Sequence, residues 1–473
     1  MTLPSTFLSK LLYDALVAHY PVLARHRDYR EFTAHLLFKA ARDKRDPTRR
    51  RVAQKFLAHA LGQERDLRWR KFAGLKFLKA YQRDVTDPSN RNIPLVTDIS
   101  DYGPKRSRTV AIVLPGKLPD LIDSEPLRLL NDPSPVCLAL GCTTSKSARS
   151  RLVAEERKLL ASEVGKHPSR DGELWLRYLN NQRGNVLSSL INRNYNAAVA
   201  KLLGGPKKSR DGLSMQLAAI KHFPVPLFHV SPRERSHRIF ANHPSLATID
   251  SEYRHILMRG CYECDIKSAI YRIVAAMWKL PLATQFLRAG GDIWKELAMA
   301  IGVAPTSKAF EVFKTGFKPT FNAIVNQAEL QEIKYHSTRL LMLLHNQNSA
   351  DAILSHPLMM ELLDARNMAG KQVLLTGAAH SCYGLRLLLK DHENIRSLIS
   401  NQASSYELAL LTPALKAVLK SDRAAIVLYQ SDGFTLHVRD RRRATFWKDK
   451  LSSAMKLGAA KLGVDLDVTW KDL

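Results

Sequence analysis

The chain has 473 residues, 45% of them hydrophobic and 25% charged, which is enough apolar material for buried cores in two or three domains. Lys and Arg number 72 against 44 Asp and Glu, a formal net charge of +28 that favours a polyanionic partner, nucleic acid ahead of a membrane surface. No apolar run approaches the ~20 residues of a spanning helix, Lys10, Asp14, Arg25 and Arg27 interrupt any secretory leader, and five irregularly spaced cysteines form no secreted disulfide framework, so a cytoplasmic protein is expected.

Residues 6–85 read as helices. Leu8, Leu11, Leu12, Leu16 and Val17 recur at helical spacing, as do Phe32, Leu36, Leu37 and Ala40. Arg42, Lys44, Arg45, Arg49, Arg50, Arg51 and Lys55 follow, a solvated helix face or linker that could also meet phosphates. Breaks come at Asp87-Pro88-Ser89-Asn90 and Tyr102-Gly103-Pro104. Thr109–Leu114 then predicts a buried strand. Residues 118–150 are mixed, and helices resume from about 151 to 222, with an exposed basic loop expected at Gly204–Arg210. Beyond Pro224 short strands alternate with helices, the pattern of an α+β core.

Three segments of that last region carry chemistry. Gly260–Cys264 can run as a strand straight into Asp265, ahead of a helix over 266–278. Ala424–Tyr429 and Phe434–Val438 predict a hairpin that presents Asp432 at its turn. Between them Lys314, Lys318, Asn322 and Asn326 recur every fourth residue, which on a helix makes one polar face. Two carboxylates fixed at strand ends suit a pair of Mg²⁺ ions, with Mn²⁺ an alternative, and two cations on a helix suit a triphosphate. Taken alone, each acid also fits a cap or turn, and the stripe also fits a solvated amphipathic helix.

In order, spacing and residue type these segments resemble the bacterial DNA polymerase I family (family A), over about residues 236–473. The family's first acidic motif, D-Y-S-Q-I-E-L-R, is similar to Asp265-Ile-Lys-Ser-Ala-Ile-Tyr-Arg272. Its fingers motif, R-x-x-x-K, is similar to Lys314-Thr-Gly-Phe-Lys318, and its V-H-D-E to Gln430-Ser-Asp432-Gly433. R-L-S-S-x-x-P-N-L is similar to Arg238–Leu246, and Q-G-x-x-A-D to Gln402–Glu407. The resemblance implies an α+β right-hand polymerase: an antiparallel palm sheet, helical fingers and thumb, and a basic, mainly helical N-terminal region. The expected division is 1–105 N-terminal region, 106–232 mixed region leading into the thumb, 233–280 palm, 281–400 fingers and 401–473 palm again. It implies primer- and template-dependent DNA synthesis from dNTPs, in a phage, plasmid or mobile element. Asp265, Asp432 and Lys318 would be catalytic, with both aspartates as metal ligands. Lys314, Asn322, Asn326, Ile270 and Arg272 would bind substrate, and Arg238, Gln402 and Ser431 would bind nucleic acid.

Departures from the family fall around the sugar. Asn322 and Asn326 stand where the family has aromatic residues, and Ile270 stands in place of a Glu that shields against a 2′-hydroxyl. Pro319 predicts that the helix begins there, with Lys314 reaching in from a preceding turn. An RNA polymerase or primase on the same fold is therefore a rival, and a non-catalytic replication initiator on a degenerate palm is another. Cys261 and Cys264 are expected in or near the core rather than in a zinc site with Cys137 and Cys142, because residues three apart on a strand face opposite ways. Asp123-Ser-Glu125 resembles an exonuclease D-x-E, but too little chain separates it from the palm for an exonuclease domain plus a thumb.

Overall fold

The structure, a computed structural model, describes residues 7–40, 49–53, 75–89, 93–102, 107–138, 142–143, 167–181, 185–205, 207–222, 224–230, 237–241, 245–326, 347–392, 394–419 and 421–473. The fold is α+β. Two compact units form: residues 1–164, 182–229 and 241–259 make the first, and residues 165–181, 230–240 and 260–473 the second. These boundaries cut across the expected 106–232 segment, since residues 170–180 pack with the second unit, and across the expected 233–280 segment, since residues 241–259 pack with the first. No helix among the described residues is long and apolar enough to cross a membrane.

In the first unit, helices Lys10–His19 and Arg27–Ala40 form as expected, with Leu12 and Leu16 buried, but Leu8 lies in the strand Phe7–Leu8, paired with Val136–Cys137, and Leu11 is exposed. Leu12, Leu16, Tyr20, Phe32, Leu36 and Tyr81 share one buried cluster. The basic run departs from the helical expectation. Arg49–Ala53 is a strand, paired antiparallel with Ser107–Val113, which also pairs with Val96–Tyr102. The apolar Thr109–Val113 run takes a neighbour on each side, and that pairing outweighs local helical preference. Arg42, Lys44, Arg45 and Lys55 lie outside the described residues. Lys207–Arg210, expected as a loop, opens the helix Lys207–His222. Glu125 is structural, since its carboxylate accepts from Ser9 N and Ser9 Oγ at 2.5 Å each. Burial pushes that carboxyl up to about 7.

Elements of the second unit are numbered within it. They are α1 (Arg170–Asn180), β1 (Tyr262–Ile266), α2 (Ala269–Met277), α3 (Ile293–Ala300), α4 (Lys308–Val325), α5 (Pro357–Thr376), α6 (Ile395–Val418), β2 (Ala424–Tyr429), β3 (Gly433–Val438), α7 (Ala444–Lys461) and β4 (Val468–Asp472). The four strands form one antiparallel sheet in the order β2-β3-β1-β4. Alternation along β1 puts Tyr262, Cys264 and Ile266 in the core and leaves Asp265 exposed. Long helix α6 packs against α7, α2 and β2. Trp175 of α1 donates to Thr412 Oγ1 on α6 at 3.1 Å and meets Tyr429 edge-on, so α1 closes over this end of the sheet. Cys261 and Cys264 are buried free thiols.

Helix α4 does not start at Pro319. It runs from Lys308 through the proline to Val325, with Ser307 Oγ capping Phe310 N. A proline in a helix interior costs about 3 kcal/mol. The offset is aromatic packing: Phe310, Phe313, Phe317 and Phe321 line the buried face, and Trp294 of α3 meets both Phe317 and Phe321 edge-on.

Candidate active site

Asp265 and Asp432 come together because of the register of β1 and β3. Asp265 pairs directly with Gly433, and Ile266 N donates to Asp432 O at 3.1 Å. The hairpin from β2 to β3 closes with Gln430 N donating to Gly433 O at 3.0 Å, so Ser431 and Asp432 form its two-residue turn, with Ser431 at φ +66°. Gly433 allows the close approach: a Cβ there would lie 2.3 Å from Cys264 O. Gln430 steadies the turn by donating to Glu263 Oε1 at 2.7 Å and accepting from Thr435 Oγ1 at 3.2 Å.

The two acids open into a cleft of about 280 Å³. Lys314, Lys318, Asn322 and Asn326 line it from α4, and Ser400, Ala403, Ser404 and Glu407 from α6. Arg238, Lys267, Ser268, Ile270, Asp292 and Thr469 complete most of the wall. Burial among these groups, then the charge of Asp432, pushes the Asp265 carboxyl up to about 7, while Lys318 and Lys314 pull the other way. Asp265 is exposed to the cleft, yet protein on several sides thins the water around it. The Glu407 carboxyl is also raised, by burial and by Asp432, against the pull of Arg238.

Neither aspartate carboxylate is held by a hydrogen bond or ion pair to another described residue, and the same is true of the Lys314 and Lys318 ammonium groups. Two like charges, one on a strand and one in the neighbouring turn, are costly unless a cation joins them. Among the described residues no group of three or more His, Cys, Asp or Glu forms a ready-made metal cage. Asp265 and Asp432 are the carboxylates that could hold a divalent cation such as Mg²⁺, which commonly binds one or two carboxylates and takes further oxygens from water and substrate phosphates.

Most residues singled out from sequence line this cleft: Asp265, Asp432, Lys314, Lys318, Asn322, Asn326, Ile270 and Arg238. Arg272 does not. It is buried away from the cleft, donating through Nε to Lys267 O at 2.8 Å and through Nη1 to Asp465 O at 2.8 Å. Its place one turn into α2 turns it toward the loop before β4, so it anchors that loop instead of touching substrate. Gln402 lines a separate cavity beside Trp278, Gln372 and Arg386, and donates to His380 O at 2.8 Å. Ser431 sits in the hairpin turn next to Asp432.

Sequence reasoning assigned no role to Glu407, Asp292 or Lys267, all of which face the cleft. Lys267 Nζ lies 3.7 Å from Asp292 Oδ2 and 3.8 Å from Asp467 Oδ2. For Glu407 a signal existed: Ser400, Ala403, Ser404 and Glu407 follow the 0, 3, 4, 7 spacing of one helix face.

No protein-family model and no curated protein matches the chain. Among solved structures the chain is similar to the POL domain of Pol1 from M. smegmatis in complex with DNA primer-template and dNTP. The likeness covers 75% of this chain and 72% of that one, at 14% sequence identity and a TM-score of 0.42. At that level of likeness the chemistry of this cleft rests on its own residues.

Proposed function

We propose that the protein is a template-directed nucleotidyltransferase, a DNA polymerase that extends a primer with dNTPs in a right-hand layout. The observation that carries this reading is Asp265 on β1 and Asp432 in the turn that opens β3, without side-chain partners among the described residues, in one cleft with Lys314 and Lys318 of a facing helix. In this reading the β2-β3-β1-β4 sheet is the palm, the helices between 281 and 400 belong to the fingers, and helices within 185–222 belong to the thumb.

Each group has a part that follows from its position. Asp265 and Asp432 would hold two divalent cations, which would relieve their mutual repulsion. When bound, Mg²⁺ would lower the pKa of the primer 3′-hydroxyl and neutralise charge on the transferred phosphoryl group. Lys318 and Lys314, one helical turn apart, hold the triphosphate tail and stabilise charge as the pyrophosphate leaves. Glu263 and Gln430 keep the Asp432 turn in place, and Gly433 keeps β1 and β3 close. Arg238, beside Glu407 in the cleft wall, would meet the primer-template. The net charge of +28 supports a nucleic-acid partner independently of this cleft.

The non-catalytic initiator reading called for aspartates held apart or misdirected, and their adjacency gives it no support. The test is primer extension by the full chain on a primed DNA template with dNTPs and Mg²⁺. Template-dependent extension abolished by chelation is the expected result. No nucleotide addition with either Mg²⁺ or Mn²⁺, despite primer-template binding, would refute the proposal.

A further inference from the structure

Helix α4 carries two kinds of group along the cleft: the cations Lys314 and Lys318, then the amides Asn322 and Asn326, each about 6 Å further along the axis. A nucleotide whose phosphates sit on the lysines lays its sugar against the asparagines. There the wall is polar and unsatisfied. Asn322 Oδ1 and Asn326 Oδ1 are both buried with no hydrogen-bond partner among the described residues, and so is Ser268 Oγ, also in the cleft wall at the start of α2. Ser268 is held at φ +52°, in the left-handed region that Ser seldom occupies. Buried oxygens without a donor are costly, and few are left so without a reason.

The chemistry of these oxygens limits what can fill them. A carbonyl oxygen needs a donor, and an ionised triphosphate offers only acceptors. The donor groups on a base edge are taken by pairing with the template. The sugar hydroxyls remain. A deoxyribose carries one on its ring, at C3′, whereas ribose carries a neighbouring pair. Two acceptors on one helix face match the pair. Ile270, on the wall with them, supplies neither donor nor acceptor.

We propose that the Asn322–Asn326 face is a subsite for the ribose diol, so that the enzyme adds ribonucleoside triphosphates as well as dNTPs. The proposal rests on the polymerase reading above and extends it to the sugar. A nucleotide with a 2′-hydroxyl gains a hydrogen bond that a dNTP cannot make, which offsets the crowding from Ile270.

The experiment is single-nucleotide addition by the full chain on one primed template with Mg²⁺, using dATP, ATP and 2′-fluoro-2′-deoxy-ATP. Fluorine occupies the 2′ position but donates no hydrogen bond. The expected result is ATP addition within about tenfold of dATP, with the fluoro analogue below ATP. Asn326→Leu should lower the ATP-to-dATP ratio about tenfold or more, and Asn326→Asp, which keeps an acceptor oxygen, should hold the ratio near the parent's. Each variant is compared through its own dATP addition, and the parent's ATP-to-fluoro comparison stands even if a variant fails to fold. Addition of dATP with ATP a thousandfold or more slower would overturn the sugar subsite and leave the polymerase standing. So would an ATP-to-dATP ratio that neither Asn326→Leu nor Asn322→Leu moves. Addition of neither nucleotide would overturn the polymerase reading and the subsite with it.

Discussion

Gly433→Ala is the smallest change that should damage the site. The added Cβ would stand 2.3 Å from Cys264 O and 3.4 Å from Asp265 Cα. An ordinary carbon–oxygen approach is about 3.3 Å, so the backbones of β1 and β3 must part by about 1 Å. Both contacts are main-chain atoms inside a sheet, with no flexible side chain to yield. Forcing bulk into such packing costs about 1–3 kcal/mol, and at roughly 2–4 °C per kcal/mol for a unit of this size Tm should drop by several degrees. The variant would remain folded at 25 °C. The larger effect falls on rate, because the strands that part hold Asp265 and the turn bearing Asp432, and a displacement of about 1 Å in a catalytic constellation costs on the order of a hundredfold. Single-nucleotide addition and a thermal melt measure the two effects side by side. Gly212→Ala is the control, since a Cβ there meets nothing within 4 Å. Parent-like addition and Tm for Gly433→Ala would refute the claim that this close approach sets the aspartate pair.

Lys318→Ala should lower the rate of nucleotide addition about a hundred- to a thousandfold, the range for one electrostatic donor; a change under threefold would place the triphosphate elsewhere. Arg272→Ala should lower Tm, because it removes the buried guanidinium that ties α2 to the loop at Asp465; a parent-like Tm with a raised nucleotide KM would restore a substrate role for Arg272. The Asp265 carboxyl is raised to about 7 from an ordinary value near 4. Between those values the folded protein binds more protons than the unfolded chain, so this group's contribution to stability falls as pH rises through that window. In metal-free buffer Asp265→Asn should therefore gain Tm relative to the parent from pH 5 to pH 8, and a constant difference across that range would contradict the assignment. Log affinity for primer-template should fall linearly with log salt as counterions are released; an affinity unchanged from low to moderate salt would mean the +28 charge serves another purpose.

Much of this site was legible in the sequence because its parts are local. A β-forming run ending in Asp265, a hairpin turn at Asp432 and a four-residue stripe on one helix each have a short-range signature. What joins them is the β1–β3 register, which couples residues far apart in sequence, and only the resemblance to family A suggested it. Pro319 misled because an interior proline opposes a helix locally, whereas four buried phenylalanines, two of them packed against Trp294, decide the matter through tertiary contacts. Arg272 misled in the opposite way: its motif position matched, but its environment is fixed by Asp465, almost two hundred residues on. Arg49–Ala53 became a strand because an apolar strand elsewhere required a neighbour, and nothing within the run announces that.

The central claim is that Asp265 and Asp432 act together to bind catalytic metal, and the most direct measurement is nucleotide addition by Asp265→Asn and Asp432→Asn beside primer-template binding by the same proteins. The amide keeps the shape of each side chain and removes the charge that attracts Mg²⁺. Either substitution should abolish addition while primer-template affinity stays near the parent's. Full addition by either variant would contradict it.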